Sequence, residues 1–225
     1  MHFVFDFGRV LFDWQPEALL RQVLPARVVD EASAAHWVAQ VFQSYGGDWG
    51  EFDRGTVEPD ALVQRISQRT GLAPAEVRAV VDAVPASLTP LPASVDLLHR
   101  LQQPGRAMFF LSNMPAPYAD HLEREHAFVR AFSDGVFSAR VQLIKPEPAI
   151  FDMASQRFGV APGELVFFDD HPANVAAARA AGWQALLFSD AAQAEADLRA
   201  AGWWPAERPH LVQVGEGILR STAQN

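Results

Sequence analysis

The chain has no cysteine among its 225 residues. It therefore forms no disulfide, holds no metal through thiolates and uses no cysteine nucleophile. It also has no basic block, and its formal net charge is −9 at pH 7, so we expect no nucleic-acid partner. No apolar run approaches the ~18 residues of a membrane-spanning helix. The N-terminus lacks the basic start and small-residue cleavage site of a signal peptide, so we expect a cytoplasmic protein without membrane contact.

The composition that remains is typical of a globular protein. Hydrophobic residues make up 49% and charged residues 20% of the chain. This length is enough for one large domain or for a domain that carries an insertion. An acidic protein that handles an anionic substrate needs a metal ion or local cations to offset charge repulsion.

Short apolar runs alternate with helical patterns over much of the chain. Strands are predicted at residues 2–7, 107–111, 135–138, 165–168 and 183–188. The later strands are separated by helical patterns at 118–125, 148–158, 172–181 and 191–201. This alternation predicts an α/β fold with a Rossmann-like, doubly wound parallel sheet.

Only helical patterns are predicted between the first two strands. They cover residues 16–24, 30–45, 59–70, 73–84 and 94–103, with turns at Gly46-Gly47 and at Pro85, Pro90 and Pro92. We therefore predict a core of residues 1–14 and 91–225 and an inserted all-helical cap of residues 15–90. The tail from Gly202, with Trp203, Trp204, Leu211, Val212 and Val214, is too apolar for free coil. We expect it to pack on the body or on a partner chain, and a homodimer stays open.

Polar residues follow three of the predicted strands. Asp6 ends the first strand, Ser112-Asn113 ends the second and Asp169-Asp170 ends the fourth, while Lys145 lies in a loop. Alone, Asp6 equally suits a ligand site at the sheet edge or the start of a turn. If these strands are neighbours, however, all of these groups converge on one pocket.

The chemistry of these groups is mutually coherent. A carboxylate can attack phosphorus or carbon and form a covalent intermediate. A hydroxyl and an amide offer donors to a phosphoryl group, and a lysine neutralises developing negative charge. An acid pair can bind Mg²⁺, which prefers oxygen ligands and substrate phosphate.

Four segments carry a resemblance to a known family: DFGRV, LSN, KPEPAIF and FFDDHPANV. In this order, they strongly resemble the motifs of the haloacid dehalogenase superfamily, which consists mostly of phosphatases, and they span nearly the whole chain. The D-x-G-x-V and F-x-D-D patterns are most similar to bacterial sugar-phosphate phosphatases of the α-D-glucose-1-phosphate phosphatase type. The resemblance implies a helical cap inserted after the first strand. It also implies Mg²⁺-dependent hydrolysis of a small phosphorylated metabolite, such as a sugar phosphate.

The resemblance also implies a role for each motif residue. Asp6 would be the nucleophile that becomes an aspartyl phosphate. Mg²⁺ would be held by the Asp6 carboxylate, the Gly8 carbonyl and Asp170, with Asp169 acting through water or orienting the site. Phosphoryl and substrate contacts would come from Ser112, Asn113, Lys145 and Arg9, with Lys145 also bridging to Asp6.

The sequence departs from the family pattern at Gly8. Most phosphatases of the superfamily have an aspartate there that protonates the leaving oxygen and later activates water. Glycine has no side chain for this role. Asp13, His171 or a residue of the cap are the candidate replacements, and a good leaving group would need little help.

Two other functions remain open. A 2-haloacid dehalogenase would use Asp6 to attack carbon without a metal, but such enzymes resemble D-x-Y-G-T in the first motif. A weakly active or non-catalytic binding protein would fit the missing acid/base and the aromatic tail. In the cap, Tyr45, Trp49, Phe52 and Arg54 surround a glycine-rich bend, where they either shape specificity or pack.

Overall fold

The computed structural model describes residues 1–205. The strands are β1 (His2–Phe5), β2 (Phe12–Asp13), β3 (Thr89–Pro90), β4 (Met108–Ser112), β5 (Asp134–Phe137), β6 (Leu165–Asp169) and β7 (Gln184–Leu187). The helices are α1 (Pro16–Val23), α2 (Glu31–Phe42), α3 (Gly47–Arg54), α4 (Pro59–Thr70), α5 (Pro74–Ser87), α6 (Pro92–Leu101), α7 (Ala116–Glu125), α8 (Ser138–Val141), α9 (Pro148–Phe158), α10 (Pro172–Ala180) and α11 (Ala191–Ala200).

Five strands form a sheet in the order β5-β4-β1-β6-β7. Every neighbouring pair in it is parallel. The central strand β1 pairs with β4 on one side and with β6 on the other, so three of the predicted polar strand ends lie side by side. The predicted α/β fold with a doubly wound parallel sheet is confirmed.

Both faces of the sheet are buried, because its strands alternate apolar side chains between two cores. Phe3 and Phe5 of β1 belong to one hydrophobic cluster, whereas Val4 belongs to the other. The same alternation separates Phe168 from Phe167 in β6. Successive side chains of a strand point to opposite faces, so helices must cover both sides of such a sheet.

A small two-stranded sheet flanks the helical insertion, by which we mean helices α1–α5 between β2 and β3. In it β2 pairs antiparallel with β3, with Phe12 opposite Pro90 and Asp13 opposite Thr89. The sequence analysis misses β2, and it is wrong about β3, since it predicts no strand between residues 16 and 103. Two residues, one of them proline, carry no strand pattern, and this pairing depends on tertiary contact.

The insertion also contains a helix that the sequence analysis misses. The predicted glycine-rich bend is helix α3, which begins at Gly47 and ends before Gly55, a residue with φ of +80°. Its apolar side chains are buried, with Trp49 3% and Phe52 2% exposed. Two glycines among eight residues hide the helical pattern, and burial of the aromatic residues stabilises the helix.

Helix α5 continues past the predicted end at Val84 and contains Pro85. Proline has no N–H to donate to the carbonyl four residues earlier, which is that of Val81. The hydroxyl of Tyr118 donates to this carbonyl at 2.7 Å instead. A contact from α7 therefore replaces the missing helical hydrogen bond.

The sequence analysis expects the C-terminal tail to pack either on the body of the protein or on a partner chain, and its first residues pack on the body. Trp203 and Trp204 lie against the larger hydrophobic cluster, and the guanidinium groups of Arg199 and Arg100 lie 4.4 and 5.2 Å from the Trp204 ring centre. Leu211, Val212 and Val214 lie outside the described residues. Within residues 1–205 no helix has the length and apolar character to cross a membrane. The division into core and cap at residues 15–90 stays a prediction.

Packing at Gly135 gives a test of the sheet. A Cβ at this position of β5 would lie 2.0 Å from the ring of Phe110, which is buried. We expect Gly135→Ala to lower the free energy of unfolding by about 1–3 kcal/mol, because the ring must shift within a filled core. Gly163→Ala is the control, since nothing lies within 4 Å of its added Cβ. Urea unfolding measures both variants, and equal stability of the two would contradict the described packing.

Candidate active site

The site lies where neighbouring parallel strands end. Phe5 of β1 is in register with Phe110 of β4 and Phe168 of β6, so the residues after them meet at one edge. Asp6 leaves this edge with its N–H donating to the carbonyl of Phe168 at 2.9 Å. Ligands bind at this edge in open α/β sheets.

A buried lysine joins two of the strand-end carboxylates. The Nζ of Lys145 lies 2.9 Å from Oδ1 of Asp6 and 2.6 Å from Oδ2 of Asp169. The Lys145 side chain is 1% exposed and that of Asp169 is fully buried. The sequence prediction that these groups converge agrees with this geometry.

The carboxylate of Asp169 is fully occupied by donors. Besides the lysine, it accepts from the backbone N–H of His171 at 2.8 Å and from Nδ2 of Asn174 at 3.0 and 3.1 Å. Asp169 therefore holds Lys145 in place. Asn174 escapes the sequence analysis, although its position in the first turn of α10 places it over the end of β6.

The side chain of Asn113 binds the main chain of Lys145. Its Oδ1 accepts from the N–H of Lys145 at 2.9 Å and its Nδ2 donates to the carbonyl of Lys145 at 3.0 Å. Both ends of the amide are thus used to fix the lysine loop. Contact of Asn113 with a phosphoryl group stays a prediction, while the buried Ser112 lines the cavity beside it.

Three carboxylates offer hard oxygen ligands at this point. Oxygen atoms of Asp6, Asp169 and Asp170 all lie within 4.8 Å of one another, and Gly8 lines the same cavity. Carboxylate and carbonyl oxygens suit a hard divalent cation such as Mg²⁺. Because Asp169 is saturated by donors, Asp6 and Asp170 have the carboxylate oxygens available to a cation.

Burial and charge set the protonation of these groups. Burial raises the pKa of Asp6 to about 7, an effect that the Lys145 ammonium partly offsets. Burial, followed by the charge of Asp169, also raises the pKa of Asp170. Burial alone would lower the pKa of Lys145, but the charges of Asp169 and Asp6 raise it above its ordinary value. The lysine is therefore charged at neutral pH, and the site favours additional positive charge beside Asp6 and Asp170.

The strand ends open into a cavity of about 300 Å³. It is lined by the polar groups described above and by side chains from the inserted helices, such as Trp49 and Val84. The apolar side chains in its lining are those of Trp14, Trp49, Val84, Leu88, Met114, Pro115 and Pro146. The cavity can hold a small organic molecule with its polar end at Asp6.

Of the other residues that the sequence analysis predicts at the site, two line the cavity and one does not. Arg9 lines the cavity, where its Nε lies 3.5 Å from the carbonyl of Trp14. His171 also lines it, but its Nδ1 accepts from the N–H of Ala173 at 3.3 Å and caps α10. Asp13 lies in β2, where Gln15 donates to it at 2.8 Å, and it is not among the cavity-lining residues of the described chain.

The four residues that the sequence analysis singles out around the glycine-rich bend also lie in different surroundings. Tyr45 and Trp49 line the cavity, and the Tyr45 hydroxyl accepts from Nε1 of Trp14 at 2.7 Å. Phe52 packs against Tyr118, with ring centres 5.4 Å apart. Arg54 binds Glu147, with Nη1 and Oε2 2.9 Å apart. Asp53, which the sequence analysis does not single out, lines the cavity and is 5% exposed.

Comparison with known proteins decides the family. The family model of haloacid dehalogenase-like hydrolases matches residues 1–182. The chain belongs to this family. The hydrolase is 28% identical to the sesquiterpene phosphatase astK of Aspergillus oryzae over 197 residues, covering 87% of the chain and 93% of the relative.

Solved structures confirm the fold of this hydrolase. A haloacid dehalogenase family enzyme of Bacteroides thetaiotaomicron, bt-2542, in complex with magnesium and inorganic phosphate, is 19% identical with a TM-score of 0.66. The match covers 84% of this chain and 94% of that structure. The L-2-haloacid dehalogenase RSc1362 is 22% identical with a TM-score of 0.62, over 82% and 84% of the two chains. The fold is thus shared with an enzyme that binds magnesium and phosphate and with a dehalogenase. Placement of this chain in the glucose-1-phosphate phosphatase branch stays a prediction.

The raised pKa of Asp6 makes stability depend on pH. Its pKa rises from 3.8 to about 7 on folding, so the folded hydrolase retains a proton that the unfolded chain releases. The contribution of protonated Asp6 is complete below pH 3.8 and is lost as pH rises through about 7. For metal-free protein in EDTA, we expect the free energy of unfolding to fall less steeply over this interval in Asp6→Asn than in wild type. If the free energy of unfolding depended on pH in the same way in Asp6→Asn and in wild type, the prediction would be refuted. Asp152→Asn, at an exposed position of α9, serves as the control.

Removal of Lys145 should leave two buried carboxylates without their cation. We expect Lys145→Met to destabilise the hydrolase by about 3–5 kcal/mol at about pH 8, and by less at about pH 5, where carboxyl groups take up protons. Arg157→Met removes an exposed pair with Asp134 and should cost about 0–1 kcal/mol. Denaturant titrations at both pH values measure these changes. A Lys145 effect as small as that of Arg157 would contradict the buried pairing.

Proposed function

We propose that this hydrolase is a Mg²⁺-dependent phosphatase that cleaves a small phosphorylated metabolite through an aspartyl phosphate on Asp6. The observation that carries the proposal is the contact of Lys145 Nζ with Oδ1 of Asp6, 2.9 Å away, beside the carboxylate of Asp170. A carboxylate supported by a lysine and a candidate cation site suits attack on a negatively charged phosphoryl group. The phosphatase relative supports the same chemistry.

The residues divide the reaction as follows. A carboxylate oxygen of Asp6 forms a bond to phosphorus while the bond from phosphorus to the leaving oxygen breaks. Water then attacks phosphorus, the bond to Asp6 breaks, and inorganic phosphate is released. Lys145 stabilises negative charge on the transferring phosphoryl group. Ser112, the last residue of β4, offers its hydroxyl as a hydrogen-bond donor to the same group. Arg9, at the cavity wall, is assigned to the substrate.

The proposed ligands of Mg²⁺ are the carboxylates of Asp6 and Asp170 and the backbone carbonyl of Gly8, with Asp169 orienting the site. The cation supplies positive charge that offsets the phosphate and keeps the two carboxyl groups ionised. The donor set consists entirely of oxygen, in keeping with this ion. Asp169 acts through its neighbours: its Oδ2 accepts from Lys145, and both of its carboxylate oxygens accept from Asn174.

The residues that line the cavity indicate the class of substrate. A sugar phosphate is the expectation from the sequence, yet the lining of the cavity also includes the apolar side chains of Trp14, Trp49, Val84, Leu88 and Met114. Such a wall favours an ester whose organic part has an apolar surface. The A. oryzae relative is named a sesquiterpene phosphatase, and a sesquiterpene is a hydrocarbon-rich group of this kind. A cytoplasmic location and a homodimer remain predictions.

Turnover of p-nitrophenyl phosphate tests the function. We expect hydrolysis with Mg²⁺, its loss in EDTA, and its abolition in Asp6→Asn, because that variant has no carboxylate nucleophile. Sugar phosphates and isoprenyl monophosphates, assayed in parallel by phosphate release, separate the two substrate classes. Metal-independent chloride release from 2-chloropropionate would favour the dehalogenase. No turnover of any ester by the folded protein would favour the non-catalytic alternative.

A further inference from the structure

The described cavity contains one acid that the reaction above does not use. Asp53, in the last turn of α3, is 5% exposed and lines the cavity together with Asp6. Within residues 1–205 no side-chain or backbone group donates a hydrogen bond to its carboxyl group. No fully buried side-chain oxygen of these residues lacks a hydrogen-bond partner, so the carboxyl oxygens of Asp53 open onto the cavity, where a bound molecule can reach them.

The backbone around Asp53 is fixed to the catalytic loops. Its carbonyl accepts from the hydroxyl of Ser138, which also accepts from the N–H of Met114 at 2.8 Å. Met114 directly follows Asn113, so one serine links the inserted helix to the end of β4. The main chain of Asp53 is therefore attached to the end of the strand that neighbours β1.

Two neighbours strengthen this attachment. Arg54 pairs with Glu147, two residues after Lys145, with Nη1 and Oε2 2.9 Å apart. Gly55 has a φ of +80°, and a Cβ there would lie 2.5 Å from the carbonyl oxygen of Ala139, so α3 approaches α8 closely. These contacts connect the end of α3 with the loop that carries Lys145.

The space beside Asp6 is open at the position where the family pattern has an acid. Within residues 1–205, a Cβ added to Gly8 would meet nothing within 4 Å, so no other side chain of this part of the chain fills the place. Asp53 reaches the same cavity from the inserted helix. Asp6 lies at the edge of the sheet and Asp53 lies on α3, so the two acids enter the cavity from different elements. In an in-line attack the leaving oxygen lies on the side of phosphorus opposite Asp6, and an acid on another element can reach it there.

The electrostatic surroundings favour the protonated form of Asp53. Burial, and next the negative charge of Asp6, raise its pKa well above the ordinary value, while Lys145 acts in the opposite direction. The charge of Asp53 in turn contributes to raising the pKa of Tyr118, behind burial, and does the same for Tyr45. Asp6, Lys145, Tyr45 and Tyr118 are thus the titratable groups that interact with it.

We propose, on the basis of the phosphatase function above, that Asp53 is the general acid and base that takes the place of the side chain missing at Gly8. As Asp6 bonds to phosphorus, the proton of Asp53 passes to the leaving oxygen, and an alcohol departs. The Asp53 carboxylate then takes a proton from the water that attacks phosphorus. Phosphate leaves, Asp6 is again a carboxylate, and Asp53 is again protonated.

The dependence on the leaving group tests this role. We expect Asp53→Asn to lower kcat/KM for an alkyl phosphate by about 10²–10⁴-fold, because its alkoxide leaves only with a proton. For p-nitrophenyl phosphate, whose leaving group needs little protonation, the loss in kcat/KM should be much smaller, with a burst of p-nitrophenol as aspartyl phosphate accumulates. The limb of the pH profile that reports the acid should also disappear for the alkyl ester.

Two further variants control for structural effects. Asp48→Asn makes the same change in the first turn of α3, where Asp48 pairs with Arg69, and should leave both kcat/KM values unchanged. Adding Gly8→Asp to Asp53→Asn places a carboxyl group in the open space and should restore alkyl phosphate turnover in part. Thermal unfolding should show Asp53→Asn to be at least as stable as wild type, since it buries no carboxyl group.

The outcomes separate this proposal from the function on which it rests. If wild type is an active phosphatase but Asp53→Asn loses activity equally with both esters, or loses none, Asp53 is not the acid. If Asp53→Asn unfolds and Gly8→Asp gives no rescue, its role is structural and the proposal is overturned. If wild type hydrolyses no phosphate ester, the proposed function itself fails, and the role of Asp53 fails with it.

Discussion

The site depends on one buried ammonium group between two carboxylates. Asp6 and Asp169 end adjacent parallel strands, so the sheet itself brings their negative charges together. Lys145 lies within 3 Å of both and offsets a repulsion that the low dielectric of the interior would otherwise make costly. Asn113 fixes the lysine main chain and Asn174 fixes the Asp169 carboxylate. The geometry of the nucleophile thus follows from neutralising a charge that the fold creates.

The rest of the cavity divides its tasks between the sheet and the inserted helices. The strand ends supply charged groups whose positions are set by rigid β-structure, as precise chemistry requires. The inserted helices supply apolar side chains and Asp53. Ser138 and the Arg54–Glu147 pair attach these helices to the loops of the sheet. The family shares the fold between phosphatases and dehalogenases, so side chains at this edge, rather than the fold, distinguish the reactions.

Much of the sheet and of its polar edge could be predicted from the sequence. Apolar runs such as residues 3–5 and 165–168 are local patterns, and the polar residues that follow them mark strand ends. The positions of Asp6, Ser112 and Asp169 were therefore predictable, and so was their convergence once the strands were assumed to be neighbours. Lys145 stood out only within its motif, because nothing local distinguishes a buried lysine from an exposed one.

Long-range contact decided what the local pattern did not contain. Helix α3 exists despite its glycines because its aromatic residues are buried, and Pro85 remains helical because Tyr118 from another helix binds the freed carbonyl. Asp53 is one of many acids in the sequence, and only folding removes it from water and places it in the cavity with Asp6. The sequence by itself determined the five strands of the main sheet, the polar edge and the missing side chain at Gly8. The tertiary structure decided which groups surround that gap, because burial and proximity between distant segments have no local signature.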